Sequence, residues 1–176
     1  VLDVRFPTSL ASIGSDAVNK DPDYSAAYCI LETDSEFEGH GLTFTLGRGN
    51  EICVQALKYL AKQAEGRTLS SITADFCAFS RLLTDDSQFR WLGPEKGVIH
   101  LATGALLNAV WDLYARVEKK PMWRLLAEME AEQLVSAIDF RYIDDALQEG
   151  EALEILQEGR RGIGERLRLL QENGYP

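Results

Sequence analysis

The side chains able to do chemistry are sparse in this chain, and their spacing excludes more than it offers. Cys29, Cys53 and Cys77 are odd in number and far apart. They form neither a metal-ligand spacing nor a disulfide framework, and read as reduced, buried thiols of a cytosolic-type protein. His40 and His100 fall singly in a strand pattern and a helix pattern, and read as structural or surface histidines. Lys119 and Lys120 follow a helical run, where cations suit the negative end of the helix dipole. Arg48 lies in the tight loop Gly47-Arg48-Gly49-Asn50. Thr8, Ser9 and Tyr24 bracket a polar stretch of about fifteen residues, 9–23, and loops that long are usually functional or disordered. Asp139 and Arg141 sit in the apolar run LVSAIDFRY.

The elements that must position these groups follow from periodicity. Residues 1–8 (VLDVRFPT) alternate and predict a strand, as do 24–33 (YSAAYCILET) and 40–46 (HGLTFTL). The short 34–39 turn makes the last two an antiparallel hairpin. Asn50 suits the N-cap of a helix over 51–64, whose apolar face would be Ile52, Ala56, Tyr59 and Leu60. A second helix is expected over 72–83. Trp91 lies in the polar connection after it and reads as a packing anchor. The segment GVIHLATGALLNAVWDLYARVEKKPMWRLL, 97–126, carries Val98, Ala102, Ala105, Leu106, Ala109 and Leu113 on one helix face. Gly104 costs about 1 kcal/mol there relative to alanine, so close packing is the expected reason for it. Pro121 suits the first turn of a following helix. Residues 134–142 predict a buried strand, and 151–173 a helix broken at Gly162 or Gly164. Residues 174–176 look like the approach to another strand. Strand, helix and strand would open a β/α repeat.

Composition bounds the rest. The chain has 176 residues, 45% of them apolar and 26% charged, ordinary for a globular protein. Its net charge of −10 argues against nucleic acid or an anionic membrane as partner. No run approaches the roughly 18 apolar residues of a membrane helix, and no signal peptide is visible. The chain starts in a strand pattern without an initiator Met, so residues are expected before Val1.

Three antiparallel strands, a helical bundle, the 97–126 segment and a β/α unit, in that order, resemble the N-terminal part of the enolase superfamily in its mandelate racemase-like branch. The resemblance rests on Gly97, Ala102, Ala105, Ala109-Val110-Trp111-Asp112-Leu113, Lys120-Pro121 and Leu125-Leu126. Lys119-Lys120 stand where a glycine before the proline is usual, and Ala127 where a glycine is usual. DVRFPTSL, DPDYSAAY, LTFTLGRGNE, RWLGPEKGV and IDFRYI look like the L-fuconate dehydratase group.

The resemblance implies an α+β fold. Residues 1–130 would be a capping domain of a three-stranded antiparallel sheet plus helical bundle, and 131–176 the incomplete start of a (β/α) barrel. The implied activity is acid-sugar dehydration: a base removes the proton alpha to a carboxylate, Mg²⁺ stabilises the enediolate, and loss of water gives a 2-keto-3-deoxy acid. The implied partner is a small-molecule acid sugar, with Mg²⁺ in the full-length enzyme and none bound to this chain, and a homo-oligomer is one implied state. The implied location is cytoplasmic, or mitochondrial for a chain of animal origin. The catalytic lysine pair, metal carboxylates and His–Asp dyad would lie beyond Pro176, so no catalytic or metal residue is expected here and the 176 residues alone should be inactive. Lys119-Lys120 are not that lysine pair. Asp139 and Arg141 would sit on the first barrel strand. Two cap loops, matching 9–24 and 46–50, would close over the barrel mouth. Thr8, Ser9, Tyr24 and Arg48 are suited to a polyhydroxy acid, with Arg48 pairing a carboxylate; solvated loop residues are the plain alternative. A different acid-sugar dehydratase or racemase of the same superfamily, and a non-enzymatic acidic α+β association module, remain the competing readings.

Overall fold

The computed structural model describes residues 1–93 and 95–174. The strand approach expected at Tyr175-Pro176 lies outside them.

Three strands form one antiparallel sheet in the order β1 (Leu2–Arg5), β2 (Ser25–Glu32), β3 (Glu38–Thr45). The register pairs Leu2 with Tyr28 and Tyr28 with Leu42, and Cys29 with Gly41. Side chains alternate across a pleated sheet, so Ala27, Cys29, Gly39 and Gly41 share the face turned to the helices. β1 ends earlier than expected, because the chain turns at Pro7 into a 3₁₀ turn over Thr8–Ala11.

The helices are α1 (Asn50–Ala61), α2 (Leu69–Thr73), α3 (Phe76–Thr84), α4 (Gly97–Val117), α5 (Met122–Glu128), α6 (Ala131–Ser136), α7 (Glu149–Gly159) and α8 (Ile163–Asn173). α4 is the central one. Ile99, Ala102, Ala105, Leu106, Ala109 and Val110 are buried in one core with Leu57 and Leu60 of α1, Phe79 and Leu83 of α3, and Ala27 and Cys29 of β2. β3 lies directly on α4 because it has no side chains there. A Cβ at Gly39 would stand 2.2 Å from the carbonyl oxygen of Ala109, and one at Gly41 2.1 Å from that of Ala105. Asp112 then pins the two elements, accepting the His40 backbone N–H at 2.8 Å while Arg116 Nε donates to the same oxygen at 2.6 Å. Trp111 packs on Phe76 with ring centroids 4.3 Å apart. α4 is long and apolar enough to cross a membrane by length and composition, but its apolar face is the protein core.

Several expectations need correction. Close packing at α4 falls to Ala105 and Ala109; a Cβ at Gly104 would meet nothing within 4 Å. α1 buries Cys53, Val54, Ala56, Leu57 and Leu60, whereas Ile52 and Tyr59 are exposed. Asn50 is the first residue of α1, not its cap, because its side chain turns inward to other partners. The helix expected over 72–83 is two, since the Asp75 carboxylate accepts the Ala78 N–H and starts α3 afresh. Trp91 is no anchor: it lies in a 3₁₀ turn and is 81% exposed.

The largest correction concerns 134–142. Instead of a buried strand, the chain forms α6 and a 3₁₀ turn over Phe140–Tyr142. A short apolar run fits a buried strand or a buried helix turn equally well. Here Gln133 Oε1 reaches back to the Glu130 N–H at 3.2 Å, a capping box that starts a helix. A lone strand at this place would also lack neighbours to satisfy its edges. Consequently Asp139 and Arg141 lie in a turn, not on a strand. The later break falls at Gly162, in left-handed conformation with φ 72°.

Cys29, Cys53 and Cys77 are buried and free, and burial pushes each thiol above its ordinary range.

Candidate functional site

The two loops singled out in the sequence meet at one end of the sheet. Residues 9–23 leave β1 and return to β2; residues 46–49 link β3 to α1. Thr8, Ser9, Tyr24 and Arg48 therefore converge, but with different degrees of freedom. The Thr8 hydroxyl donates to the Pro22 carbonyl at 2.8 Å and accepts the Tyr24 N–H at 2.9 Å. Ser9 donates its hydroxyl and its N–H to Asp23 Oδ1 at 2.6 and 3.1 Å. Both residues close the neck of the loop. The Tyr24 ring meets Phe44 edge-on at 5.1 Å and lies against Gly14, whose missing side chain makes the room. Arg48 is 93% exposed at its side chain, with Asp21 of the other loop 3.9 Å away. Of the four, it is the group free to meet an anion.

Beneath the loops runs a polar network that sequence reasoning did not find. Asn50, fully buried, donates Nδ2 to Asp3 Oδ1 at 2.6 Å and to the Ala26 carbonyl at 3.1 Å. Its Oδ1 accepts the Thr45 hydroxyl at 2.6 Å. That commits the Thr45 proton, so across the 2.7 Å gap between the hydroxyls Ser25 is the donor. Ser25 Oγ in turn accepts the Gly47 N–H at 2.7 Å. Arg5 closes the circuit, donating to the Gly47 carbonyl at 3.2 Å, to Asp3 at 2.8 Å and to Glu51 at 2.6 Å. Every buried polar group here has a partner, which rigidifies such networks. The Ser9 donors hold the Asp23 carboxyl below its usual range, and Arg5, then Asn50, do the same for Asp3. The only sequence hint was Asn50 itself, at a place where it seemed a cap.

Groups able to do chemistry also lie elsewhere in the fold. Asp139 sits between Arg81 and Arg141, at 2.8 Å from each, and Arg141 also reaches Asp85 at 2.9 Å. These pairs hold the Asp139 carboxyl well below the carboxylate range. Each group has an opposite charge, so the cluster docks the 139–142 turn onto α3. Lys120 pairs with Glu128 at 2.8 Å. His40 Nδ1 lies 3.2 Å from the Tyr28 hydroxyl and His100 is exposed on α4. A groove of about 1120 Å³ opens at the opposite end of the sheet, lined by Leu31, Leu69, Leu113 and Val117 among others, remote from the loops. The magnesium of the resemblance finds no ligand set here: among the described residues no three Asp, Glu, His or Cys side chains converge to hold a metal.

Comparison with known proteins places this geometry. No protein-family model matches. Mitochondrial enolase superfamily member 1 of Xenopus laevis is 56% identical over 178 residues, covering 100% of this chain and 40% of the relative. The Homo sapiens protein of that name is likewise 56% identical over 178 residues, with the same coverage. L-galactonate dehydratase of Hypocrea jecorina is 55% identical over 175 residues, covering 99% of this chain and 39% of the relative. The crystal structure of the human protein superposes with a TM-score of 0.95 at 56% identity, over 99% of this chain and 40% of that one. The chain thus spans about 40% of the length of the curated relatives it matches.

Proposed function

The chain belongs to the enolase superfamily as the counterpart of its relatives' N-terminal portion, and on that premise we propose that it is the capping part of an acid-sugar dehydratase. Its task is to shape a substrate pocket with loops 9–23 and 46–49 and to exclude water from it. Arg48 meets the substrate carboxylate and Tyr24 a substrate hydroxyl, while Thr8 and Ser9 hold the loop that carries them. The observation that supports this reading best is the likeness along the whole chain to a protein named L-galactonate dehydratase, joined to an exposed guanidinium between two tethered loops. A 2-keto-3-deoxy acid is the product, L-fuconate a fitting substrate and Mg²⁺ the metal of the whole enzyme. No step through the metal is assigned to these residues, because they hold no ligand set for it. A mitochondrial location agrees with the names of the animal relatives.

The test is a chimera in which this chain replaces the matching N-terminal portion of the Hypocrea jecorina enzyme. With Mg²⁺, it is expected to dehydrate L-galactonate or L-fuconate, whereas the 176 residues alone leave both intact. Turnover by the chain alone, or a folded chimera inert towards a panel of acid sugars, overturns the proposal. A product racemised at the alpha carbon, with no water lost, would assign the chain to a racemase instead.

A further inference from the structure

Loops 9–23 and 46–49 share one anchor, and we propose that Asp23 is a positioning residue that makes the two loops a single body carrying Arg48. This rests on the capping role proposed above.

Asp23 is bonded to both loops. Its carboxylate accepts two donors from Ser9. Its N–H donates to the Leu46 carbonyl at 3.3 Å, and its carbonyl lies 3.2 Å from Ser25 Oγ. Gly47, at φ 109°, comes so near that a Cβ there would stand 3.1 Å from Asp23 Cβ. The relay from Gly47 through Ser25 and Thr45 to Asn50 also holds the turn, and Arg5 holds the Gly47 carbonyl. Arg48 follows Gly47 directly, so its backbone is fixed while its side chain stays in solvent. Loop 9–23 thus cannot shift at its neck without disturbing the turn that presents the guanidinium. A loop so tied samples few conformers, which lowers the ordering cost when a ligand binds.

Hydrogen exchange read by mass spectrometry on the 176-residue protein is the direct test, with Asp23→Ala and the milder Ser9→Ala. Both are expected to accelerate exchange not only at 8–16 but also at 46–50, roughly tenfold for the first variant, with α4 protection unchanged as the control for folding. Acceleration confined to 8–16, or to neither loop, overturns the coupling. In the chimera, Asp23→Ala should raise KM for the acid sugar roughly fivefold and leave kcat within about twofold. An unchanged KM, or a fall in kcat alone, overturns the positioning role. If the unmutated chimera is inert, the capping proposal fails and the exchange pattern still decides this one.

Discussion

Asp139 is the residue on which acid should act most visibly. Two guanidiniums, of Arg81 and Arg141, hold its carboxyl well below the ordinary range. A carboxylate depressed in the folded state contributes stability above its unfolded pKa of about 4 and loses it as pH falls through the folded value. The difference in urea midpoint between the native chain and Asp139→Asn should therefore be full near pH 6, begin to shrink below about pH 4, and keep shrinking to the lowest pH at which the chain stays folded. A pH-independent difference would mean that packing, not charge, sets the effect. Lys119 illustrates a different cost. Its N–H bonds the Arg116 carbonyl and that of Lys120 the Ala115 carbonyl, both at 3.0 Å, the paired bonds of a Schellman helix end. That motif puts Lys119 in the left-handed region, φ 54°, where a Cβ is disfavoured. Lys119→Gly should raise stability by about 0.5–1 kcal/mol, and chemical denaturation would measure it. This position is also where the superfamily pattern has a glycine, so the resemblance pointed to a backbone demand that the sequence meets at a cost.

At the scale of elements, the β3–α4 contact decides how the sheet sits on the helices. Its two glycines leave no room: Gly41→Ala drives a methyl into the Ala105 carbonyl and the Ala109 backbone, which cannot yield as a side chain would. A loss of about 3 kcal/mol is expected, whereas Gly104→Ala, which meets nothing, should gain about 1 kcal/mol from helix propensity. Thermal melts of the pair separate the two kinds of glycine. The contrast shows what was legible. The apolar stripe of α4 is a local pattern and could be read from Val98 to Leu113. That Gly39 and Gly41 face that stripe is a fact about register between distant segments, which no local pattern carries. The same limit hid the polar relay under the loops, because Asp3, Ser25, Thr45 and Asn50 come from four separate stretches. Residues 134–142 failed for another reason: a nine-residue apolar run is ambiguous in itself, and the Glu130 and Gln133 box just before it was the signal that could have resolved it.

Taken whole, the molecule is unevenly held together. β2 and the helices α1 to α4 share one large buried core, whereas α5 contributes to a small satellite of Ala115, Leu125 and Met129. Beyond it burial thins further. α7 buries only Ala152, and α8 buries no residue. What ties α7 down is polar: Arg160 donates to the Met129 carbonyl and pairs with Glu130, and Gln157 reaches Glu132 at 2.9 Å. Exposed ion pairs of this kind contribute little each and are screened by salt, so local opening there costs far less than unfolding the core. Limited proteolysis should cut first between α7 and α8, around the left-handed Gly162, and leave a product ending near residue 160 that resists further digestion. Raising salt to about 1 M should speed that first cut and leave the second slow. An association module with a self-sufficient C-terminal part would show the reverse order, with residues 131–174 surviving as a stable piece. The looseness has a plain physical reading: α8 carries Ile163, Leu167, Leu169 and Leu170 with little of the core to cover them, so opening it forfeits little apolar burial.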